Sequence, residues 1–358
     1  MRIPTGARRT ASTLALLFAF LPALPVEEPP AAAAPTSEAI AAGAVRDPFP
    51  VPEEIRGNVE FWKRVFAEWS LAQVALHDAV RPELVYEVLD IPGTVGESLS
   101  PAQREFVRRE RERLEARLLD VERRAAAGES LEGEDAALAL EIVATAGSDA
   151  LPGAHARVRS QRGLRERFGR GLEIGARYDA RFREVFREAG LPEDLAFLPH
   201  VESSFQVGAR SSAGAVGVWQ FTRPAARKFM TLTPTIDERL DPVAAARGAA
   251  RYLGAAWAEF GHWGLALTSY NHGVEGMRLA KEKFGTDFGR IVREYDGRRF
   301  GFASRNFYAE FLAAREIARE PLRHFGGGLA FEAPLAHDSV VLDRSERPVR
   351  IAREWGIP

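Results

Sequence analysis

The stretch LPHVESSF, residues 198–205, places a carboxylate on the apolar side of a predicted helix. Leu195, Leu198 and Val201 recur at helical spacing, and Glu202 falls on the side that the leucines share. Burial of an unpaired carboxylate is costly, and apolar surroundings raise its pKa until it stays protonated near neutral pH. Glu202 is therefore a candidate general acid. A glutamate that caps a loop or pairs with an arginine is the alternative that this position alone leaves open.

The composition is typical of a chain that folds around hydrophobic cores. With 358 residues and 46% hydrophobic residues, it is long enough for one large or two ordinary domains. Lysine and arginine total 48 against 50 acidic residues, so the net charge of −2 gives no positive field that favours nucleic acid. Cysteine is absent, which excludes disulfides, thiolate metal sites and a cysteine nucleophile. The histidines show no zinc-binding spacing, so we expect a reaction without metal or other cofactor.

The first residues predict export. Arg2, Arg8 and Arg9 precede STLALLFAFLPALPV, an apolar run that prolines interrupt and that is too short to span a membrane. This pattern favours a cleaved signal peptide, with an uncleaved anchor as the alternative. Residues 1–47 are thus predicted to be a signal peptide and a Pro/Ala-rich flexible leader. Because no cysteine is available for lipidation, we expect a soluble mature protein in the periplasm or cell envelope.

Residues 48–158 are predicted to form a mostly helical N-terminal region. QVALHDAVRPELVYEVLDIPG, residues 73–93, alternates apolar and polar residues on both sides of a proline, which favours a small hairpin. Ser100 and Pro101 then favour the start of a long helix whose dense Arg/Glu surface is typical of a solvated face. Its narrow apolar stripe consists of Phe106, Leu114, Leu118 and Val121.

Residues 159–322 are predicted to be a compact helical domain. Pro192 favours a helix start after Gly190, and Asp241 is a predicted N-cap of a helix that ends at Gly261. Four shorter helices are expected at WGLALTSYNHG, VEGMRLAKEKFG, TDFGRIVREY and SRNFYAEFLAAREIARE. Residues 323–358 indicate a small strand–helix appendage, so the predicted fold class is mainly α.

Two further motifs could surround a ligand. In SSAGAVGVWQF, Gly214 and Gly217 could bring the backbone close to a ligand, beside the aromatic surface of Trp219 and the amide of Gln220. A structural turn with a buried tryptophan is the alternative.

The second motif is LALTSYNHG, where Tyr270 and Asn271 could point into a cleft. Asn-x-Gly is also common at the end of a helix, so this motif alone does not predict a site.

Taken together, these motifs resemble a known family. ESSF, the pattern A-x-S-x-x-G-A-x-G-x-W-Q at 209–220 and TSYN at 268–271 resemble the catalytic domain of soluble lytic transglycosylases and goose-type lysozymes. The preceding LPEDLAFLPHVES is similar to that of the membrane-bound lytic murein transglycosylase D type. The resemblance covers about residues 163–320 and implies a lysozyme-like helical fold.

The resemblance also implies roles for individual residues. Glu202 would be the catalytic acid and then base, and the predicted substrate-site residues are Ser203, Ser211, Gln220, Tyr270, Asn271 and Tyr308. The last of these is the weakest match, because the late tyrosine of the family falls on Phe307, with Tyr308 one position later. The remaining acids of the domain are interpreted as caps or surface charges: Asp237, Glu238, Asp241 and Glu275.

The resemblance implies cleavage of the β-1,4 bond between N-acetylmuramic acid and N-acetylglucosamine, with 1,6-anhydromuramic acid ends as products. Peptidoglycan glycan strands would be the partner, and cell-wall or membrane-associated proteins are further candidates. A goose-type lysozyme reaction and an inactive peptidoglycan-binding scaffold are the alternatives.

Overall fold

The computed structural model describes residues 47–336 and 346–356; residues 1–46, which hold the predicted signal peptide, lie outside the described residues. The described chain is mainly helical, which confirms the predicted fold class. Its strands are β1 (Gln73–Asp78), β2 (Val85–Asp90) and β3 (Val158–Arg162). Its α-helices are α1 (Arg56–Ala67), α2 (Pro101–Ala126), α3 (Gly133–Ala146), α4 (Arg165–Gly175), α5 (Asp179–Glu188), α6 (Leu198–Glu202), α7 (Arg223–Phe229), α8 (Pro242–Phe260), α9 (Trp263–His272), α10 (Val274–Phe284), α11 (Phe288–Glu294), α12 (Phe302–Arg319), α13 (Pro321–Phe325) and α14 (Pro348–Glu354).

The predicted hairpin is confirmed as β1 and β2, which pair antiparallel with Gln73 opposite Asp90. The third strand, β3, pairs antiparallel with the other edge of β1, so the order is β2-β1-β3. Sequence analysis missed β3 because its five residues, VRSQR, contain one apolar side chain and no alternation.

The long helix α2 begins at the predicted cap. The Ser100 hydroxyl accepts a hydrogen bond from the Gln103 N–H at 3.2 Å, and the Gln103 side chain accepts one from the Ser100 N–H at 3.0 Å. This reciprocal arrangement satisfies two N–H groups at the start of the helix. Leu114, Leu118 and Val121 are buried as predicted. Leu114 and Leu118 belong to a small core that α2 and α3 form with the sheet, and the half-buried Phe106 packs against it.

Helix α1 belongs to the main hydrophobic core, together with the helices of the C-terminal half. Asn58 Nδ2 and Trp62 Nε1 both donate to Asn306 Oδ1 of α12, at 3.0 and 3.1 Å. Lys63 of α1 pairs with Glu316 of α12 at 2.7 Å. A domain boundary near residue 159 stays a prediction, but α1, on its N-terminal side, completes the core that carries the candidate site.

The stretch LPEDLAFLPHVES forms a 3₁₀ turn, Glu193–Phe197, and then α6. One continuous helix was expected. Pro199 has no N–H to donate to the residue four positions earlier, so the helical hydrogen bonding changes at this point. Leu195 and Leu198 are fully buried, so the apolar side predicted from their spacing does face the core.

The predicted helix ends in the C-terminal half also agree with the structure. Asp241 accepts from the N–H groups of Val243 and Ala244 at 2.8 and 2.9 Å, and Gly261 ends α8 with a φ of +61°. In the tail, α14 matches the predicted helix, whereas the predicted strand falls outside the described residues.

Candidate active site

Glu202 lies at the end of α6 and lines a pocket of about 280 Å³. Five elements contribute to this pocket or flank it: α1, β3, α4, α6 and α12. Besides Glu202, the pocket is lined by Trp62, Phe66, Gln161, Leu164, Arg167, Phe168, His200, Val201, Ser203, Ser204 and Glu310.

The half-buried Glu202 carboxyl has no hydrogen-bond or ion-pair partner among the described residues. Burial, together with the neighbouring Glu310 carboxylate, raises the pKa of Glu202 to about 8. The arginine pair considered as an alternative for this residue is therefore absent from the described chain. Because its pKa lies above neutral, Glu202 is chemically suited to donate a proton.

His200, two residues before Glu202, carries no charge that could lower the pKa of Glu202. Burial lowers the pKa of His200 to about 3, so its imidazole is neutral. Its ring stacks on Phe168 at a centroid distance of 4.9 Å and meets the edge of Phe205 at 4.6 Å. His200 therefore forms part of the apolar surroundings that keep the Glu202 proton in place.

Backbone strain is concentrated around Glu202. Four non-glycine residues of the described chain have positive φ, and three of them lie in the two turns beside this glutamate: Ser204 (51°), Phe205 (59°) and Gln220 (48°). Gly171 and Gly175 of α4 allow the first turn to approach, because a Cβ on either would lie 3.2 Å from Ser204 or Phe205. Such conformations are unfavourable and cluster at functional sites in proteins.

Three predicted site residues hold the turns in place. The Ser203 hydroxyl donates to the Val218 carbonyl at 2.8 Å, which joins the end of α6 to the loop 209–221. Gln220 Nε2 donates to the Gly217 carbonyl at 2.8 Å, and the exposed Ser211 accepts from the Ala215 N–H at 3.0 Å. Of these three, only Ser203 lines the pocket with Glu202.

In the glycine-rich loop, Gly217 does not bring the backbone close to a ligand, as its sequence motif suggested it could. A Cβ on Gly217 would lie 2.1 Å from the Arg239 carbonyl oxygen, so the close approach is to backbone and not to a ligand. Trp219 is fully buried, and its Nε1 donates to the Pro242 carbonyl at 3.1 Å. Trp219 therefore offers no aromatic surface to a ligand, and the structural alternative for this motif is correct.

Tyr270 and Asn271, which are neighbours at the end of α9, have different surroundings. The Tyr270 hydroxyl donates to the Trp219 carbonyl at 2.8 Å, and burial and the nearby Glu202 charge raise its pKa well above the ordinary value. Asn271 is exposed and accepts from the Ser304 hydroxyl at 2.9 Å. Tyr270 is thus electrostatically coupled to Glu202, whereas Asn271 lies outside the pocket that Glu202 lines.

Tyr308, a predicted substrate-site residue, does not line the pocket that holds Glu202. Tyr308 is fully buried in the main core, and its hydroxyl donates to the Pro50 carbonyl at 3.0 Å. Phe307 is also buried, at 3% exposure. Both aromatic side chains are taken up by the packing of α12, whereas Glu310, two positions after Tyr308, reaches the pocket.

Sequence analysis missed Glu310. The signal was present, because Glu310 stands in NFYAEFLAA, an otherwise apolar run, just as Glu202 follows LAFLPHV. Burial raises the pKa of Glu310 to about 8 as well. The pocket therefore holds two carboxyl groups, where the motifs predicted one.

The acids interpreted as caps or surface charges have those roles. Asp241 caps α8, Asp237 accepts from the Arg239 N–H at 3.2 Å, and Glu238 accepts from the Thr231 N–H at 2.6 Å. Glu275 forms an exposed pair with Arg278. None of them lines the Glu202 pocket.

Residues 184–288 match the family model of the transglycosylase SLT domain. This match confirms the resemblance to SLT-type lytic transglycosylases inferred from the motifs. Glu202 lies within the matched stretch, whereas Trp62, Phe66, Arg167 and Glu310 lie outside it.

This chain spans less than half of the length of each of the following relatives. Membrane-bound lytic murein transglycosylase D of Escherichia coli (strain K12) is 34% identical over 89 residues, which are 24% of this chain and 20% of that protein. The "Putative tributyltin chloride resistance protein" of Alteromonas sp. (strain M-1) is 35% identical over 91 residues, which are 25% of this chain and 44% of that protein. Among solved structures, an inactive mutant of lytic transglycosylase Slt from Pseudomonas aeruginosa matches with a TM-score of 0.33 and 21% identity, over 41% of this chain and 24% of that one.

The described residues lack two features, a membrane-spanning helix and a metal-binding cluster. Within residues 47–336 and 346–356, no helix is both long and apolar enough to cross a membrane. The same part of the chain contains no group of three or more histidine or acidic side chains placed to hold a metal ion.

Proposed function

We propose that this protein is a peptidoglycan lytic transglycosylase in which Glu202 is the general acid and then the general base. One observation carries the proposal: within an SLT domain, the Glu202 carboxyl lies unpaired in a pocket, and burial raises its pKa to about 8. Such a carboxyl is protonated at neutral pH, as an acid that attacks a glycosidic bond must be.

The proposed reaction needs one proton carrier. Protonated Glu202 donates its proton to the oxygen of the β-1,4 bond between N-acetylmuramic acid and N-acetylglucosamine, and this bond breaks. The N-acetyl group of the muramic acid stabilises the positive charge that develops at the anomeric carbon. The Glu202 carboxylate then takes the proton of the muramic acid 6-hydroxyl, whose oxygen bonds to the anomeric carbon, so that a 1,6-anhydro ring closes without water.

Five other residues are proposed to belong to this site, each from its contacts or its exposure. Ser203 and Gln220 hold the turns on either side of Glu202, and Ser211 stabilises the loop that carries Gln220. Tyr270 is the proposed hydrogen-bonding phenol of the site, because the Glu202 charge contributes to its raised pKa. Asn271, exposed on the outer side of the same helix end, would contact sugar units farther along the strand.

Product analysis on purified sacculi tests the proposal. Digested murein should yield muropeptides with 1,6-anhydromuramic acid ends, which mass spectrometry separates from hydrolytic products by the mass of one water. If only reducing ends were released, the transglycosylase assignment would be overturned.

The goose-type lysozyme reaction is the second candidate, and one observation favours it. Hydrolysis needs a base that activates water, and ordinary inverting glycosidases supply it with a second carboxyl group. Glu310 is a second carboxyl group in the pocket. If Glu310 has that role, wild-type protein should release reducing ends, and Glu310→Gln should abolish them.

We also propose that the protein acts outside the cytoplasm, in the periplasm or cell envelope, because its N-terminus has the pattern of a signal peptide. Peptidoglycan glycan strands are its proposed binding partner. Detection of the protein in the periplasmic fraction, with an N-terminus beginning after the apolar run, would support both export and cleavage.

A further inference from the structure

The second glutamate of the pocket has no assigned function. Glu310 extends from the middle of α12 into the pocket that Glu202 lines from α6. Like Glu202, it is half-buried and has no hydrogen bond or ion pair to any described residue. A glutamate that only stabilised the fold would be expected to have such a partner, because burial of an isolated carboxylate is costly.

The other groups around Glu202 and Glu310 do not neutralise the charge of these two glutamates. From α1, the pocket receives the uncharged Trp62 and Phe66, while Lys63 pairs with Glu316 and Glu60 elsewhere. From β3 and α6 come Gln161 and the neutral His200. On the α9 side, Tyr270 stays protonated.

Arg167 of α4 is the one cation that lines this pocket in the described chain. No ion pair joins Arg167 to either glutamate, and its charge does not contribute to the raised pKa values of Glu202 and Glu310. Its Nε is buried without a hydrogen-bond partner. In the described chain, Glu310 is the one charged group that contributes to the raised pKa of Glu202.

Two carboxyl groups in one pocket titrate as a pair. When one loses its proton, the negative charge left behind opposes ionisation of the other, which then keeps its proton to a higher pH. We propose that Glu310 is a positioning residue that keeps the proton on Glu202 by facing it across the pocket. This inference rests on the proposed function of Glu202 as the acid.

The direction of the coupling agrees with the proposal. The Glu310 carboxylate contributes to the raised pKa of Glu202, whereas burial alone raises that of Glu310. An ionised Glu310 therefore favours the protonated form of Glu202, which retains the proton that the glycosidic oxygen needs. As a consequence, the enzyme should work at a more alkaline pH than one with Glu202 alone.

The test compares pH profiles of kcat/KM for wild type, Glu310→Gln and Glu316→Gln. Removal of the negative neighbour lowers the pKa of Glu202, so the alkaline limb of Glu310→Gln should move to lower pH by about one unit, a typical result of removing a charge from a shared site. Glu316→Gln is the matched control, because it removes a carboxylate from the same helix at a partly exposed pair with Lys63 and should leave the limb in place. An unchanged limb in Glu310→Gln would overturn the inference.

A measurement without turnover separates this inference from the proposed function. The ¹³C resonance of the Glu202 carboxyl, assigned by its loss in Glu202→Gln, should titrate at lower pH in Glu310→Gln than in wild type. Because coupling is reciprocal, the Glu310 resonance should likewise titrate at lower pH in Glu202→Gln, which keeps the test decisive if Glu310→Gln does not fold. Unshifted resonances would overturn the coupling even if Glu202 proves to be the catalytic acid, whereas shifted resonances in a protein without murein cleavage would overturn only the proposed function.

Discussion

Two acids of the stretch LPEDLAFLPHVES have opposite environments. Asp194 is 9% exposed and accepts from Arg315 Nε at 2.6 Å, with Arg319 and Arg183 also within ion-pair distance. Glu202, later in the same stretch, has no cationic partner in the described chain. One end of the stretch is thus an electrostatic anchor to α12, and the other end is a reactive carboxyl.

The comparison shows that partners, and not burial alone, decide what a buried acid does. Arg183, Arg315 and Arg319 pair with Asp194, so we interpret this residue as structural. Around Glu202 the apolar walls and Glu310 stabilise the neutral form, which can give up a proton. The anchor also serves the site, because it fixes the 3₁₀ turn from which α6 projects Glu202 into the pocket.

The largest expected effect is that of Glu202→Gln. The amide keeps the shape of the side chain but has no acidic proton, so the rate of murein clearance should fall roughly 10² to 10⁴-fold, the usual contribution of general acid–base catalysis. Turbidity loss of purified sacculi measures this rate. Glu275→Gln, at an exposed pair with Arg278, is the control and should clear murein at the wild-type rate. Equal clearance by Glu202→Gln and wild type would end the catalytic assignment.

Loss of the Asp194 anchor should lower the free energy of unfolding. Asp194→Asn leaves Arg315 without one of its two carboxylate partners, so the free energy of unfolding should fall by about 3–5 kcal/mol, as for other broken buried ion pairs. Urea unfolding followed by circular dichroism measures this change. Glu193→Gln is the control in the same turn, because the Glu193 pair with Arg187 is exposed and should contribute less than about 1 kcal/mol. If both variants lost the same small amount, Asp194 would not be an anchor.

The raised pKa of Glu202 also predicts how stability depends on pH. A carboxyl whose pKa rises from 4.5 to about 8 on folding binds its proton more tightly in the folded state. This stabilisation is fully present below pH 4.5 and is lost as the pH rises towards 8. Because glutamine does not titrate, the decline in free energy of unfolding between pH 5 and pH 8 should be smaller in Glu202→Gln, by on the order of 3–4 kcal/mol. Parallel stability curves for the two proteins would contradict a raised pKa.

Much of this architecture follows from local sequence signals. The Ser100 and Asp241 caps, the Gly261 stop and the alternating β1–β2 hairpin are decided by contacts within a few residues, so the sequence predicted them. Glu202 was predicted because its apolar neighbours lie on the same helix turn.

The features that sequence analysis missed depend on contacts between distant segments. Strand β3 is stabilised by its pairing with β1, which lies more than 80 residues earlier in the chain. Tyr308 was assigned to the site by its place in a motif, but Pro50, 258 residues away, accepts its hydrogen bond in the core. Glu310 shares a pocket with Glu202 only because α12 packs on α6, and no spacing in the sequence predicts that packing.

The smallest expected effects are those of removing one phenol hydroxyl, from Tyr308 in the core or from Tyr270 beside Glu202. Tyr308→Phe removes the hydrogen bond to the Pro50 carbonyl, so it should lower the free energy of unfolding by about 1 kcal/mol and leave kcat unchanged. Tyr270→Phe removes a similar bond to the Trp219 carbonyl, but next to Glu202, so it should lower kcat as well as stability. Rates of murein clearance per enzyme at saturating murein, paired with urea unfolding, separate the two outcomes. A kcat loss in Tyr308→Phe that exceeds the loss in Tyr270→Phe would mean that the late aromatic position acts in the reaction after all, by a movement of α12 that brings this phenol out of the core.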